Sequence, residues 1–336
     1  MSDVSSNAQT FRDQGVLISV IVPVFNEEFT ISHFLERAIP ALNSACDVIE
    51  ASCDFEIVFV DDGSTDKTAD QIAEAAREIR QIKLISLSRN FGKDAALAAG
   101  LAHAAGDAII PIDVDLQDPP ELIPVIVQKW ISGAKVVNAV RTSRTSDGYL
   151  KRFTAKIFYS LYNAITDYKI PKNVGDFRLI DREVADILLQ LPERTLFMKG
   201  IVPWIGFPSD SVEYMRAPRV AGQTKWHYWQ LWNFALDGIT SATTAPLRIW
   251  TYIGTLVSVI AFIYAMFLII RVFLFGIDTP GYASLMVAIL FIGGLNMLSL
   301  GILGEYVGRI STEVKARPLY VIRSTSGFKP NNPRRA

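Results

Sequence analysis

Hydrophobic and polar positions alternate at two periods over the first half of the chain. Short apolar runs, ISVIVPVF (18–25), FEIVFV (55–60), KLISL (83–87), AIIPI (108–112) and KVVNAV (135–140), are separated by stretches with helical spacing. Those stretches are Thr30 to Leu42, Asp66 to Arg80, Asp94 to Ala105 and Glu121 to Ser132. Strand and helix in strict alternation predict an α/β domain built on a doubly wound parallel sheet. Ser64 or Asp66 is available to cap the second helix ahead of Ala- and Glu-rich sequence. No internal repeat or low-complexity tract interrupts the pattern.

Beyond Pro246 the pattern changes. Ile249 to Ile270 is a run of 22 residues without a charge, bounded by Arg248 and Arg271, and Thr279 to Gly304 is a second run of 26. A helix crossing the hydrocarbon of a bilayer needs about 20 residues, so two membrane spans joined as a hairpin are predicted. Residues 306–336 carry seven Lys or Arg against one acid, Glu313, whereas the loop between the runs holds only Arg271 and Asp278. The positive-inside rule then puts both ends of the chain on the cytoplasmic side. Residues 1–16 contain no apolar run long enough for a signal peptide, which predicts the same side for the N-terminal portion. Trp226, Trp229, Trp232 and Trp250 fall just before or at the start of the first run; such rings suit a membrane interface, or else an aromatic core cluster.

The resulting division is a flexible N-terminus (1–17), a cytoplasmic α/β domain (18–225), an interfacial segment (226–246), two transmembrane helices (247–305) and a basic tail (306–336). Composition fits this plan: half the residues are hydrophobic, and the excess sits near the C-terminus. The formal net charge of −1 offers no basic surface for nucleic acid, which excludes that partner. Cys46 and Cys53 are spaced C-x6-C without clustered histidine, the three being His33, His103 and His227. Reduced, buried thiols are the expectation.

Carboxylates gather where an open α/β sheet binds ligands, just past the C-terminal ends of strands. Asn26, Glu27 and Glu28 follow the first strand, Asp61 and Asp62 the second, and Asp113 and Asp115 the fourth. Two carboxylates spaced D-x-D at a strand end suit a hard cation such as Mg²⁺ or Mn²⁺, with sites left open for phosphate oxygens. Such a metal stabilises a departing diphosphate as a Lewis acid.

VIVPVFNEE (20–28), VDDGSTDKT (60–68), RNFGKDAAL (89–97) and DVDLQDPPE (113–121) resemble, in order and spacing, the family 2 glycosyltransferases of GT-A fold. VGDFRLIDR (174–182), RTLFMKG (194–200) and RVAGQTKW (219–226) look like its polyprenyl-phosphate branch, which includes the bactoprenol glucosyltransferases and dolichol-phosphate mannose synthase. The resemblance spans residues 18–310. It implies that Pro23, Phe25, Glu27 and Asp61, with Asp62 nearby, line a nucleoside pocket, and that Asp113, Asp115 and Gln117 hold Mg²⁺ or Mn²⁺ and the diphosphate. Asp118 reads as a turn residue ahead of Pro119 and Pro120. Lys93 opens a helix near the site, where it meets a phosphate or stays solvated.

The acceptor end should be basic, to draw in a lipid phosphate. Arg141, Arg144, Arg194, Lys199, Arg219 and Lys225 occupy motif positions, with Arg141, Arg194 and Lys225 the main candidates. Asp176 sits in the motif that the family associates with the reacting centre, as a catalytic group beside Asp115 or as a buried partner of Arg178. The resemblance further implies an inner-membrane enzyme and a homo-oligomer, a tetramer. It implies transfer of one sugar, with inversion, from UDP-glucose to undecaprenyl phosphate for cell-envelope glycan modification such as that of lipopolysaccharide O-antigen. GDP-mannose or another UDP-sugar is the alternative donor. A processive polysaccharide synthase would carry Q-x-x-R-W, whereas this chain has QTKW at 223–226 and no Arg-Trp pair.

Overall fold

The computed structural model describes residues 15–142, 174–191, 198–215, 243, 245–275 and 281–328. The chain divides into two units, residues 1–227 with 318–336 and residues 228–317.

The first unit is a mixed sheet with helices on both faces. Its strands are β1 (Val16–Val24), β2 (Cys53–Asp61), β3 (Ile82–Leu87), β4 (Ala108–Pro111), β5 (Val136–Arg141), β6 (Val174–Asp181), β7 (Ser209–Tyr214) and β8 (Ile322–Ser326). Its helices are α1 (Ile31–Asp47), α2 (Thr68–Glu78), α3 (Lys93–His103), α4 (Ile123–Ile131), α5 (Arg182–Gln190) and α6 (Met198–Ile205). The four helices expected between Thr30 and Ser132 are therefore present, with shifted ends. The sheet order is β7-β5-β6-β4-β1-β2-β3-β8.

The sheet is not purely parallel. β1 pairs in parallel with β2 and β4, and β2 with β3, but β6 runs antiparallel to both β4 and β5. That reversal matters for the site. It lays the first residues of β6, Val174 to Asp176, beside the C-terminal ends of β4 and β5, where the other strands deliver their loops.

Two buried apolar clusters cover the faces of the sheet. Ile31, Phe34 and Leu42 of α1, Ile72 of α2 and Ile126 and Trp130 of α4 pack on one face, while Ala96 and Ala99 of α3, Val184 of α5 and Ile201 of α6 pack on the other. Helix α3 buries mostly small residues, Ala95, Ala96, Ala98, Ala99 and Gly100. A Cβ at Gly100 would come within 2.3 Å of the Ile21 side chain, so glycine fixes how near the helix can sit and hence where its first residue, Lys93, is presented.

At the opposite end of the sheet, buried Glu56 accepts from the Ser19 hydroxyl (2.5 Å) and the Ala105 amide (2.7 Å) and pairs with Lys83. The Gly106 amide donates to the Ser19 hydroxyl at 2.8 Å, which closes the network over the turn between α3 and β4. Every buried polar group there has a partner, as burial requires.

One expectation is corrected by the structure. Cys46 and Cys53 are not reduced, buried thiols: they form a disulfide with Cα atoms 5.2 Å apart, and both are half-exposed. The cause is local, since α1 ends beside the start of β2 and the short connection brings the last turn of the helix to the first strand residue, within ordinary bridging distance. Part of the expected basic tail is strand. β8 pairs antiparallel with β3, Ser86 opposite Ser324, and covers the edge β3 would otherwise expose. The Lys83 ammonium and the His103 ring both meet Phe328, at 5.2 and 5.9 Å from its ring centre.

The second unit contains helices α7 (Ala245–Phe275) and α8 (Tyr282–Lys315), of 31 and 34 residues. Large apolar side chains such as Phe262, Phe273, Val287 and Met297 are exposed along both. Within the described residues one segment, Val287–Lys315, is long and apolar enough to cross a membrane, with a mean hydropathy of 2.1 and none of its most apolar window buried. Ile249–Tyr264 is a shorter apolar helical segment.

Candidate active site

The loops after β1 and β2 are stitched together by their own polar residues. Asn26, with φ of +54°, accepts from the Thr65 amide at 2.9 Å and donates its own amide to the Ser64 hydroxyl at 3.0 Å. The Glu27 amide donates to the Thr68 hydroxyl at 2.9 Å. Pro23 lies opposite Val60 near the end of β1, and Phe25 and Glu27, both half-buried, follow it. The buried Asp61 carboxylate accepts the Ser64 amide at 3.0 Å. The residues expected to line a nucleoside pocket are thus brought to one end of β1 and β2.

Asp62 has a different task. Its buried carboxylate accepts the amides of Phe91 (2.7 Å) and Gly92 (2.9 Å), clamping the turn that opens α3. Burial holds its pKa above the ordinary carboxylate value, against the lowering effect of those two amides. Asp62 therefore sets the position of Lys93 from below.

After β4 the chain alternates strictly. Asp113, Asp115 and Gln117 are half-exposed, while Val114, Leu116 and Asp118 are buried. This two-residue period points the first three side chains away from the core and the second three into it. Asp115 also accepts the Gln117 amide at 3.1 Å, which fixes the turn.

Lys93 joins this loop to β6. Its ammonium lies 2.7 Å from one Asp113 oxygen, 2.9 Å from the other and 2.6 Å from Asp176. Crowding in the cleft opposes the charge of Lys93, but the two carboxylates outweigh it and hold its pKa well above the ordinary range. Asp113 and Asp176, 63 residues apart, share one cation because β6 is reversed. Arg178, named in sequence as a partner for Asp176, is buried and donates to the Gly175 carbonyl at 2.8 Å.

Asp118 is no mere turn residue. It is buried and accepts from the Tyr214 hydroxyl and, at 3.4 Å, from Arg141, whose Nε also donates to that hydroxyl at 3.1 Å. Burial and the neighbouring Asp118 charge raise the Tyr214 pKa far above its usual value, so the phenol stays a donor. A Cβ at Gly175 would stand 3.1 Å from the Arg141 guanidinium, so the glycine before Asp176 leaves room for this cation. Tyr214 was not foreseen, because β7 reads SDSVEY, too polar to stand out as a strand. For Asp118 the signal was the alternation from Asp113 onward. Arg194 and Lys225 lie outside the described residues.

Among the described residues no three His, Cys, Asp or Glu side chains converge as a ready-made metal cage. Asp113 and Asp115 nevertheless fit a hard cation by the chemistry of their oxygen donors. One of them already holds a cation, the Lys93 ammonium, in the position of a counter-charge.

Carboxylates gathered at the strand ends of an α/β sheet, beside the first residue of a helix, are the arrangement to which the comparisons with known proteins give a class. Residues 19–188 match the model of Glycosyl transferase family 2, and residues 245–310 match that of the GtrB C-terminal hairpin. The chain belongs to glycosyl transferase family 2 and carries a GtrB-type C-terminal hairpin. It is 52% identical over 308 residues to a protein of Escherichia coli K12 named prophage bactoprenol glucosyl transferase homolog, covering 91% of this chain and 98% of that one. It is 51% identical over 315 residues to the SfII prophage-derived bactoprenol glucosyl transferase of Shigella flexneri, covering 93% and 99%. It is 50% identical over 312 residues to the uncharacterized glycosyltransferase sll0501 of Synechocystis sp., covering 93% and 96%.

Asp118, Tyr214 and Arg141 form one hydrogen-bonded triangle at the end of the loop that carries Asp113 and Asp115. Tyr214→Phe removes the hydroxyl and leaves a buried carboxylate short of a donor, which costs about 1–3 kcal/mol. Thermal melting of the variant in detergent should show a clear fall in Tm, and an unchanged Tm would remove the triangle from the account.

Proposed function

We propose that this chain transfers a single glucose from UDP-glucose to undecaprenyl phosphate, with inversion, at the cytoplasmic face of the membrane. The observation that carries this reading is the joining of Asp113 and Asp176 through Lys93 at the C-terminal edge of the sheet. Relatives named bactoprenol glucosyl transferase, at about half identity over nearly the whole chain, support the choice of sugar and lipid.

In this reading Pro23, Phe25, Glu27 and Asp61 take the nucleoside. Asp113 and Asp115, with Gln117, hold Mg²⁺ or Mn²⁺, which when bound supplies Lewis-acid neutralisation of the diphosphate. A phosphate oxygen of the lipid forms the new bond to the anomeric carbon, and the bond from that carbon to the UDP oxygen breaks with its electron pair leaving on UDP. A phosphate monoester has a second pKa of roughly 6, so the acceptor is mostly ionised at neutral pH and needs no strong base. Asp176 then serves to align the attack, a contribution of geometry. Arg194 and Lys225 are proposed to meet the lipid phosphate on the strength of their motif positions. Arg141, at the end of β5 beside Gly175, adds positive charge on the same side of the sheet. The homo-oligomer, a tetramer, remains part of the proposal by resemblance.

Purified full-length protein given undecaprenyl phosphate and a panel of UDP-glucose, UDP-galactose, UDP-N-acetylglucosamine and GDP-mannose should use UDP-glucose fastest. EDTA should stop the transfer and Mn²⁺ or Mg²⁺ restore it. Asp115→Asn, which removes a ligand charge at constant shape, should lower turnover by about 100-fold or more, equivalent to several kcal/mol of charge stabilisation. Preference for GDP-mannose would replace the donor, and full activity of Asp115→Asn would discard the metal assignment.

We also propose that the hairpin spans the inner membrane twice. β8 follows α8 in sequence yet belongs to the sheet of the first unit, and this supports an even number of crossings by the chain between them. Cysteine labelling of intact cells with a membrane-impermeant reagent should reach only positions introduced in the 271–281 loop, and labelling at residue 320 from outside would exclude the two-span arrangement.

A further inference from the structure

The position of Lys93 has a consequence for the order in which ligands enter. Both oxygens of Asp113 lie within 2.9 Å of its ammonium, and a third contact at 2.6 Å ties it to Asp176. A divalent ion seated between Asp113 and Asp115 would draw on the same Asp113 lone pairs and would repel the ammonium. Lys93 cannot retreat by shifting its backbone. It is the first residue of α3; Asp62 clamps the two amides just before it, and Gly100 presses the helix onto Ile21. Only its side chain can move, and it moves readily only if another anion is within reach.

The charges favour joint entry. The carboxylates of Asp113, Asp115 and Asp176 outnumber the Lys93 ammonium, and Arg141, which also feels Asp113, is already engaged by buried Asp118. A diphosphate entering alone meets a surplus of negative charge, and a metal ion entering alone must evict a paired ammonium. When both arrive, the diphosphate offers Lys93 a new partner, Asp113 is released to the metal, and phosphate oxygens complete the metal's shell. Asp176 loses its lysine in the same event and becomes available to the acceptor.

We propose that Lys93 is a tethered counterion that occupies Asp113 and Asp176 until a nucleoside diphosphate group takes it over, so that metal and donor load together. This rests on the reading of Asp113 and Asp115 as metal-binding acids.

The test is Mn²⁺ binding, followed by the loss of the free-ion EPR signal, on full-length protein in detergent with and without UDP and corrected for Mn²⁺ held by UDP in buffer. Wild type should bind Mn²⁺ weakly alone and about tenfold or more tightly with UDP, and Mn²⁺ should raise UDP affinity by the same factor, as linkage requires. Lys93→Met should bind Mn²⁺ alone about tenfold more tightly than wild type and lose most of the UDP effect, while Lys93→Arg should keep the wild-type pattern. Lys93→Met binding Mn²⁺ no better than wild type, while wild type does bind it with UDP, would overturn this inference and leave the metal assignment standing. Absence of Mn²⁺ binding by wild type even with UDP would overturn the metal assignment and this inference with it. Should Lys93→Met fail to fold, wild type still decides: Mn²⁺ affinity indifferent to UDP refutes joint loading.

Discussion

Negative charge concentrated on one edge of a sheet is the constraint around which this enzyme is arranged. The ends of β1, β2 and β4 and the start of β6 all deliver carboxylates to the same side. Left alone these groups would repel one another and any phosphate. The structure divides them by task. Asp61 and Asp62 accept backbone amides and shape turns, Asp118 is buried against Tyr214 and Arg141, and Asp113 and Asp176 share Lys93. Only after that division does the site present a limited number of acids to an incoming ligand, and the reactive geometry follows from which acids remain on the open side.

The parts legible in sequence were those with a strong period. Five apolar runs marked β1 to β5, and the D-x-D acids were found because they sit where the fourth run ends. β6, β7 and β8 were harder. GDFRL showed itself as a motif, but nothing in its composition says that it runs backwards between β4 and β5, and this reversal is what brings Asp176 to Lys93. β7 and β8 are edge strands of polar sequence, SDSVEY and IRSTS; β7 buries only Val212 and Tyr214 and β8 none of its residues, too few to stand out as an apolar run. Asp118 was misjudged because two prolines follow it, a turn signal that masked the alternation carrying its side chain inward. The cysteines were misjudged because spacing alone cannot show that a helix ends beside the next strand.

Chain order also binds the two units together. The apolar helices lie between two segments of one sheet, since β8 closes the β3 edge after the chain has passed through α7 and α8. Phe328 then covers Lys83 and His103, next to the Glu56 network at the far end of the sheet from the acids. The membrane-directed hairpin is in this sense an insertion into the catalytic unit.

In the function proposed for this chain, Asp113 and Asp115 receive the diphosphate of the donor through a metal ion at the strand ends. A structure of the full-length protein with UDP and Mn²⁺, using anomalous scattering to locate the metal, tests this most directly. The expected result is a manganese peak within coordination distance of Asp113 and Asp115, with the UDP diphosphate on its open side and the uracil near Phe25. A peak elsewhere, or a diphosphate bound away from these two carboxylates, would contradict it.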